Sequence, residues 1–215
     1  MKTNQNKALR GTRVLEGDEA RKYRKVIDTL RKIVLEDGYE EIFFPSIWSQ
    51  DVFIKKAGDE ILNQMYAFKD KKERPICLIP EVTALVEEMW KSGWDREKKK
   101  PYKIFYEARC YRYERPQTGR YREFFQFGVE ILGDKKGFSS QDYLLNTMKK
   151  CLEEFDLDYN FKSSVKRGLD YYTEDGFEVE CEKLGAQKQI LGGGKYDSGV
   201  GFAFGVDRLI LAIES

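Results

Sequence analysis

One stretch that could carry out chemistry is RGLDYYTEDGFEVE, residues 167–180, which places an arginine, an aspartate and two adjacent tyrosines before a strand-like alternation. A guanidinium group can bind an anion, and phenol hydroxyls can form hydrogen bonds with a polar ligand. Taken alone, the stretch is equally typical of a tight turn at Gly168 followed by an edge strand with half-buried tyrosines. Its function therefore depends on which other residues accompany it.

The charge and composition narrow the chemistry that is available. The sequence contains no histidine, so the usual general base and the commonest metal ligand are missing. Chemistry must use arginines, carboxylates and bound ions. The 38 basic and 37 acidic residues nearly cancel, giving a formal charge of +1, so any anion site must be local.

The cysteines and the hydropathy pattern indicate a reduced, soluble protein. The four cysteines are widely spaced without a CxxC pair, which is typical of neither a disulfide framework nor a zinc site. We expect them to be packing residues, and we assign no metal ligands. Because the sequence has neither an apolar signal core nor a run of about 18 apolar residues, we expect a cytoplasmic protein without membrane association.

Apolar periodicity predicts three helices, at Glu19–Leu35, Glu81–Lys91 and Ser140–Phe155. Two aromatic and β-branched segments, 102–113 and 121–132, flank ERPQTG and predict a long antiparallel hairpin.

Further strands are predicted at 160–166, 176–181 and 188–191, and EEIFFPSI is predicted to be a short strand running into Pro45. The C-terminal GVGFAFGVDRLILAIE indicates a strand that turns into a helix. We therefore expect an α+β fold with an antiparallel sheet backed by helices, and one domain over residues 1–215.

Three segments resemble the signature motifs of class II aminoacyl-tRNA synthetases. They are GYEEIFFPSI, YRYERPQTGRYREF and the glycine-rich GVGFAFGVDRL. RGLDYY and GGGKYD further resemble the two histidine-recognition motifs of the histidyl-tRNA synthetase family. The resemblance extends from about Gly11 to Glu214, and it implies activation of histidine with ATP and Mg2+, followed by transfer to tRNA.

The resemblance implies an ATP-binding set and a histidine-binding set. Arg112 would bridge the substrate carboxylate and the α-phosphate, with Arg167 on the opposite side. Arg120 and Arg208 would hold the γ-phosphate, Phe124 would stack on adenine, and Glu114 would bind its amino edge. Amino-acid activation builds charge on phosphoryl oxygens, which fixed guanidinium groups can stabilise. The residues implied for histidine are Glu81, Thr83 and Gln126 at the α-amino group, Glu130, Tyr171 and Tyr172 at the imidazole, and Gly192, Gly194 and Tyr196 around the pocket.

The resemblance also implies partners. The first motif, around Gly38–Ile47, would form a homodimer interface, and Gln117 and Arg122 would contact the acceptor end of tRNA, which we expect to bind weakly. We expect two departures from the family pattern. The sequence between Glu130 and Arg167 is too short for the usual inserted helical domain, and we expect a catalytic core without an anticodon-binding domain.

Two alternatives to a tRNA ligase stay open. One is a histidine-binding regulatory protein like the regulatory subunit of ATP phosphoribosyltransferase, which generally loses the RGLD arginine and the ERPQ loop that this chain keeps. The other is an enzyme that adenylates histidine and passes it to an acceptor other than tRNA. We favour the tRNA ligase.

Overall fold

The computed structural model describes residues 8–56, 59–133, 137–166, 172–173 and 176–215. Its α-helices are α1 (Gly17–Glu36), α2 (Asp51–Ile54), α3 (Asp59–Gln64), α4 (Thr83–Met89), α5 (Asp95–Glu97), α6 (Ser140–Glu153) and α7 (Val206–Ile213). Its strands are β1 (Glu40–Glu41), β2 (Ile47–Ser49), β3 (Ala67–Lys69), β4 (Pro75–Leu78), β5 (Tyr102–Tyr111), β6 (Glu123–Leu132), β7 (Asn160–Val165), β8 (Gly176–Glu180), β9 (Gln189–Tyr196) and β10 (Gly199–Gly205). A π-helical turn, Trp90–Trp94, and a 3-10 segment, Glu182–Gln187, complete them.

The main sheet has seven strands in the order β1-β5-β6-β10-β9-β8-β7. All neighbouring pairs are antiparallel except β1 and β5, which are parallel. β5 and β6 form the long hairpin that the sequence predicts, with Tyr102 opposite Leu132 and Tyr111 opposite Glu123. The predicted α+β class with a largely antiparallel sheet is confirmed.

The two faces of the main sheet are distinguished by strand alternation. The odd-numbered β6 residues Phe127, Val129 and Ile131 belong to a core shared with α1, α6 and α7. The even-numbered residues of β5 belong to a second core, which also contains residues of α4 and of a separate three-stranded sheet formed by β2, β4 and β3. Because side chains alternate along a strand, the even-numbered residues of β6 face this second side. We call this side of the main sheet the cleft face.

The middle of the cleft face carries very small residues. Gly201 of β10 is paired with Glu130 of β6 and Gly194 of β9, and Ala203 is paired with Gly128 and Gly192. The intervening β10 residues Val200, Phe202 and Phe204 face the core instead. The glycine-rich pattern thus buries its large residues on one side and leaves space on the other.

Most predicted elements are present. EEIFFPSI forms only the two-residue β1 before the chain crosses to β2. The strand predicted at 188–191 is longer, because β9 extends through the triple glycine 192–194 to Tyr196. A three-stranded sheet, ordered β2-β4-β3, was not predicted because its strands are only three or four residues long.

The structure also bears on the expected packing role of the cysteines and on the expected lack of a membrane-spanning segment. Cys77, Cys110, Cys151 and Cys181 are all buried and free, as expected for packing residues. None of the helices in the described part of the chain combines the length and the apolar character that crossing a bilayer requires.

Candidate active site

A cleft of about 370 Å³ opens on the cleft face of the main sheet. It is bounded by the start of α4, the loop between β5 and β6, the glycine-rich strands and the start of α7. The predicted site residues that line it are Glu81, Thr83, Arg112, Glu114, Arg120, Phe124, Gln126, Tyr172, Gly192 and Arg208. Both predicted halves of the site therefore meet in one cavity.

Three arginines converge on one side of the cleft. Arg208 lies in the first turn of α7, where its Nε donates to the carbonyl of Gly119 at 2.8 Å and its Nη1 donates to the carbonyl of Gln189 at 3.0 Å. Burial, followed by the nearby guanidinium groups of Arg120 and Arg112, lowers the pKa of Arg208 below its ordinary value. Like charges held this close favour a bound anion.

The loop between β5 and β6 and the first residues of β6 supply the other residues predicted to bind ATP. Arg112 donates from Nε to the carbonyl of Pro80 at 2.9 Å, and its guanidinium carbon lies 5.3 Å from the centroid of the Phe124 ring. Arg120 forms an ion pair with Glu114. An aromatic face, a carboxylate and two guanidinium groups thus line the same wall, the combination that the resemblance implies for adenine and its phosphates.

One acid, Glu81, and one amide, Gln126, also line the cleft. The Glu81 carboxylate accepts the backbone N–H of Ala84 at 3.1 Å, which anchors the helix start. Gln126 projects from β6, and its Oε1 accepts the thiol of Cys110 at 3.3 Å. These contacts fix the orientation of side chains that carry polar groups into the cleft.

Glu130 lies in a fully buried hydrogen-bonded cluster next to the cleft. Its Oε1 accepts the hydroxyl of Thr83 at 2.9 Å and that of Tyr106 at 3.3 Å, and its Oε2 accepts the hydroxyl of Tyr196 at 2.9 Å. Burial raises the pKa of Glu130 to about 8, although the hydroxyl donors Thr83 and Tyr196 oppose that shift. An ionised carboxylate has about four lone-pair sites, so three donors leave room for one more.

Small residues make space for this cluster. A Cβ added to Gly201 would lie 1.5 Å from Oε2 of Glu130, and one added to Gly194 would lie 2.8 Å from the Tyr172 ring. Tyr172 also pairs with Tyr196 in an isolated bridge. Thr83 and Tyr172 line the cleft, and a layer made of Glu130, Gly194 and Tyr196 lies directly behind them.

The predicted tRNA-contacting residues lie outside the cleft. Gln117 is exposed and forms a tight turn with Arg120. The Arg122 guanidinium lies 4.0 Å from the centroid of the Tyr113 ring, and its Nε donates to the carbonyl of Glu114 at 3.1 Å. Arg167 and Tyr171, which the sequence also predicts as site residues, lie outside the described residues.

The structure adds contacts that the sequence analysis does not assign. Tyr106 is fully buried in the core, and its hydroxyl donates to Glu130. The signal for its position is Gly128 opposite it, because a Cβ there would overlap the Tyr106 ring at 2.1 Å. Cys110 carried no signal for its contact with Gln126.

Solved structures share this architecture. The apo histidyl-tRNA synthetase of S. aureus matches with a TM-score of 0.79 and 26% identity, over 97% of this chain and 70% of that chain. A Bacillus halodurans protein titled ATP phosphoribosyltransferase regulatory subunit/histidyl-tRNA synthetase matches with a TM-score of 0.81 over 100% of this chain and 85% of that one, and at 16% identity it bears on the fold alone. The fold is that of a class II aminoacyl-tRNA synthetase.

Sequence comparison identifies the family. The sequence model described as histidyl-tRNA synthetase matches residues 11–162. The histidine–tRNA ligase of Methanosarcina acetivorans is 30% identical over 307 aligned positions, covering 94% of this chain and 74% of that protein. The chain belongs to the histidyl-tRNA synthetase family. Because those positions outnumber the 215 residues of this chain, the relative carries segments inside the aligned region that this chain lacks.

Proposed function

We propose that the chain activates histidine with ATP to form histidyl-adenylate and transfers the histidyl group to the acceptor end of tRNA. The observation that carries this proposal is the convergence of Arg112, Arg120 and Arg208 on a cleft that Glu81 and Gln126 also line. A cluster of positive charge together with acceptor groups suits a substrate pair made of a polyphosphate and an amino acid.

The reaction requires no protein base. A carboxylate oxygen of histidine attacks the α-phosphorus of ATP, the bond to the bridging oxygen breaks, and pyrophosphate leaves with the bonding electrons. The substrate carboxylate is already ionised near neutral pH, so no proton has to be removed. Arg112 and Arg167 would stabilise the charge that develops on the α-phosphoryl oxygens.

Histidine would be selected by its ring nitrogens. Glu130 lies behind the cleft wall, in contact with Thr83. In its ionised form it would accept one imidazole N–H, and Tyr171 and Tyr172 would hold the ring. Buried polar groups discriminate strongly against analogues that leave them unpaired. Glu81, Thr83 and Gln126 would bind the α-amino group.

The first test is histidine-dependent exchange of pyrophosphate into ATP. We expect exchange by the wild-type chain and a loss on the order of 100-fold or more in Arg112→Ala, since the lost interaction acts mainly on the transition state. Arg167→Ala should behave in the same way and keep most histidine binding. The control is Arg109→Ala, whose side chain is 58% exposed and pairs with Glu123 at 3.6 Å. Wild-type exchange that survives Arg112→Ala unchanged would contradict the proposal.

A histidine-binding regulator is the second candidate, and the fold shared with the Bacillus halodurans protein is its support. It predicts histidine binding by calorimetry without any exchange. The retained arginines favour the enzyme, because a histidine sensor has no use for a polyphosphate site. Exchange without charging of tRNA would instead indicate an acceptor other than tRNA.

The partners follow from the same proposal. Phe43 and Ile47, in the predicted dimer segment, keep 76% and 50% of their surface exposed, and exposed apolar residues of this kind favour a self-complementary interface. Gln117 and Arg122 would meet the acceptor end of tRNA, and affinity should be low and salt-dependent because few phosphate contacts are available.

Magnesium would arrive with ATP. The described ranges hold no group of three His, Cys, Asp or Glu side chains suited to a metal ion. Mg2+ commonly keeps several waters and binds substrate phosphates, so it needs no dedicated protein cage. The cytoplasmic location and the single catalytic domain over residues 1–215 stay predictions.

A further inference from the structure

The segment before α1 packs against the loop that joins β5 to β6. We call residues 9–15 the N-terminal strap. The carbonyl of Gly11 accepts the backbone N–H of Arg122 at 2.7 Å. Gly11 has a φ of +87°, and a Cβ added there would lie 2.8 Å from Cγ of Arg122 and 2.9 Å from Cγ of Pro116. The strap therefore lies directly on the returning end of the loop.

Arg13 of the N-terminal strap contacts two elements that carry residues predicted to bind ATP, namely α7 and the loop between β5 and β6. Its guanidinium forms an ion pair with Asp207 of α7, and its Cζ lies 3.7 Å from the centroid of the Tyr121 ring in the loop. The Asp207 side chain is only 5% exposed, whereas that of Arg13 is 35% exposed. A carboxylate this deeply buried needs a charge partner, and Arg13 supplies it from the solvent side.

Asp207 connects the start of α7 to the start of β6. Its Oδ2 accepts the backbone N–H of Phe125 at 3.0 Å, next to Phe124. It also immediately precedes Arg208, which holds the loop at Gly119. Asp207 lines the cleft, so an unneutralised carboxylate there would repel a polyphosphate.

We propose that Arg13 is a positioning residue for nucleotide binding, an inference that rests on the proposed function. It does not line the cleft. It neutralises Asp207 and packs on Tyr121, so that the start of α7, the start of β6 and the loop between β5 and β6 keep one geometry. The histidine half, built around Glu130, has no contact with Arg13 among the hydrogen bonds and ion pairs of the described residues.

The test compares ATP and histidine affinities, each by calorimetry, with KM values from exchange as a second readout. We expect Arg13→Ala to weaken ATP binding about tenfold, within the range of coupled ion pairs, and to leave histidine affinity unchanged. Arg13→Lys should restore part of the ATP affinity, because it keeps the charge and loses the planar stacking. Arg10→Ala, at an exposed position of the same strap, is the control.

A double-mutant cycle with Asp207→Asn separates positioning from general stability. If Arg13 acts by neutralising Asp207, Arg13→Ala should weaken ATP binding by less than about threefold in the Asp207→Asn background. An equal cost in both backgrounds, or equal loss of ATP and histidine affinity, would overturn the inference. If Arg13→Ala does not fold, Arg13→Lys carries the same cycle.

The outcomes for the two proposals differ. A wild-type chain that binds ATP without exchanging pyrophosphate would contradict the proposed function, while the ATP affinities of the Arg13 variants would still decide this inference. A wild-type chain that binds no ATP would overturn both.

Discussion

Replacing Glu130 by glutamine should remove a pH dependence from the stability of the unliganded chain. The pKa of Glu130 is about 8 in the folded chain, against 4.5 as its ordinary value. Between these values the folded state holds a proton that the unfolded chain has released. Stability therefore falls as the pH rises through this window, and it levels off above pH 8. Glu130→Gln has no proton to lose at this position.

The magnitude follows from proton linkage. One proton difference changes the free energy of unfolding by about 1.4 kcal/mol per pH unit, so moving from pH 5.5 to pH 7.5 costs the wild type about 2.7 kcal/mol relative to Glu130→Gln. For a chain of this length, each kcal/mol shifts the melting temperature by about 2–4 °C, which predicts a relative shift of roughly 5–11 °C.

The assay is thermal unfolding by circular dichroism at both pH values, without ligands. Tyr196→Phe is a matched variant: it removes a hydroxyl that stabilises the ionised carboxylate, so the slope should extend to higher pH. Histidine bound at the proposed site should flatten the wild-type slope, because an imidazole N–H also favours the ionised form. Parallel melting profiles for wild type and Glu130→Gln between pH 5.5 and 7.5 would refute the reasoning.

Three further predictions concern the cleft, the dimer and tRNA. Gly201→Ala should destabilise the chain by about 1–3 kcal/mol in denaturant unfolding and abolish histidine binding, because its Cβ would displace the Glu130 carboxylate. The control is Gly205→Ala, because a Cβ added there would have its nearest neighbouring atoms at 4.0 Å. Equal losses of stability and of histidine binding in the two variants would contradict the explanation. Phe43→Asp should shift the homodimer toward monomer in light scattering, and a wild-type monomer at micromolar concentration would disprove the interface. Arg122→Ala should slow transfer to tRNA more than pyrophosphate exchange, and equal slowing would count against an acceptor-end role.

Much of the fold was predictable because its signals are local. The three-four spacing of apolar residues located α1 within two residues at its start and one at its end. Aromatic strands on either side of ERPQTG gave the hairpin, and the glycine alternation that ends in Val206 gave the junction of β10 and α7. The resemblance to the family motifs pointed to Arg112 and Arg208, and both line one cleft.

The sequence by itself therefore determined the fold class and the family resemblance and supplied the predicted site residues, because periodicity, turn residues and motif spacing are properties of short segments. The tertiary structure decided which of those residues face the cleft and what holds them. Arg13 and Asp207 are 194 residues apart in sequence, and Thr83 and Glu130 are 47 apart, yet each pair is in contact. The burial that raises the pKa of Glu130 arises only when β5, β9, β10 and the start of α4 enclose it. No local pattern encodes such contacts, because they depend on how distant segments pack.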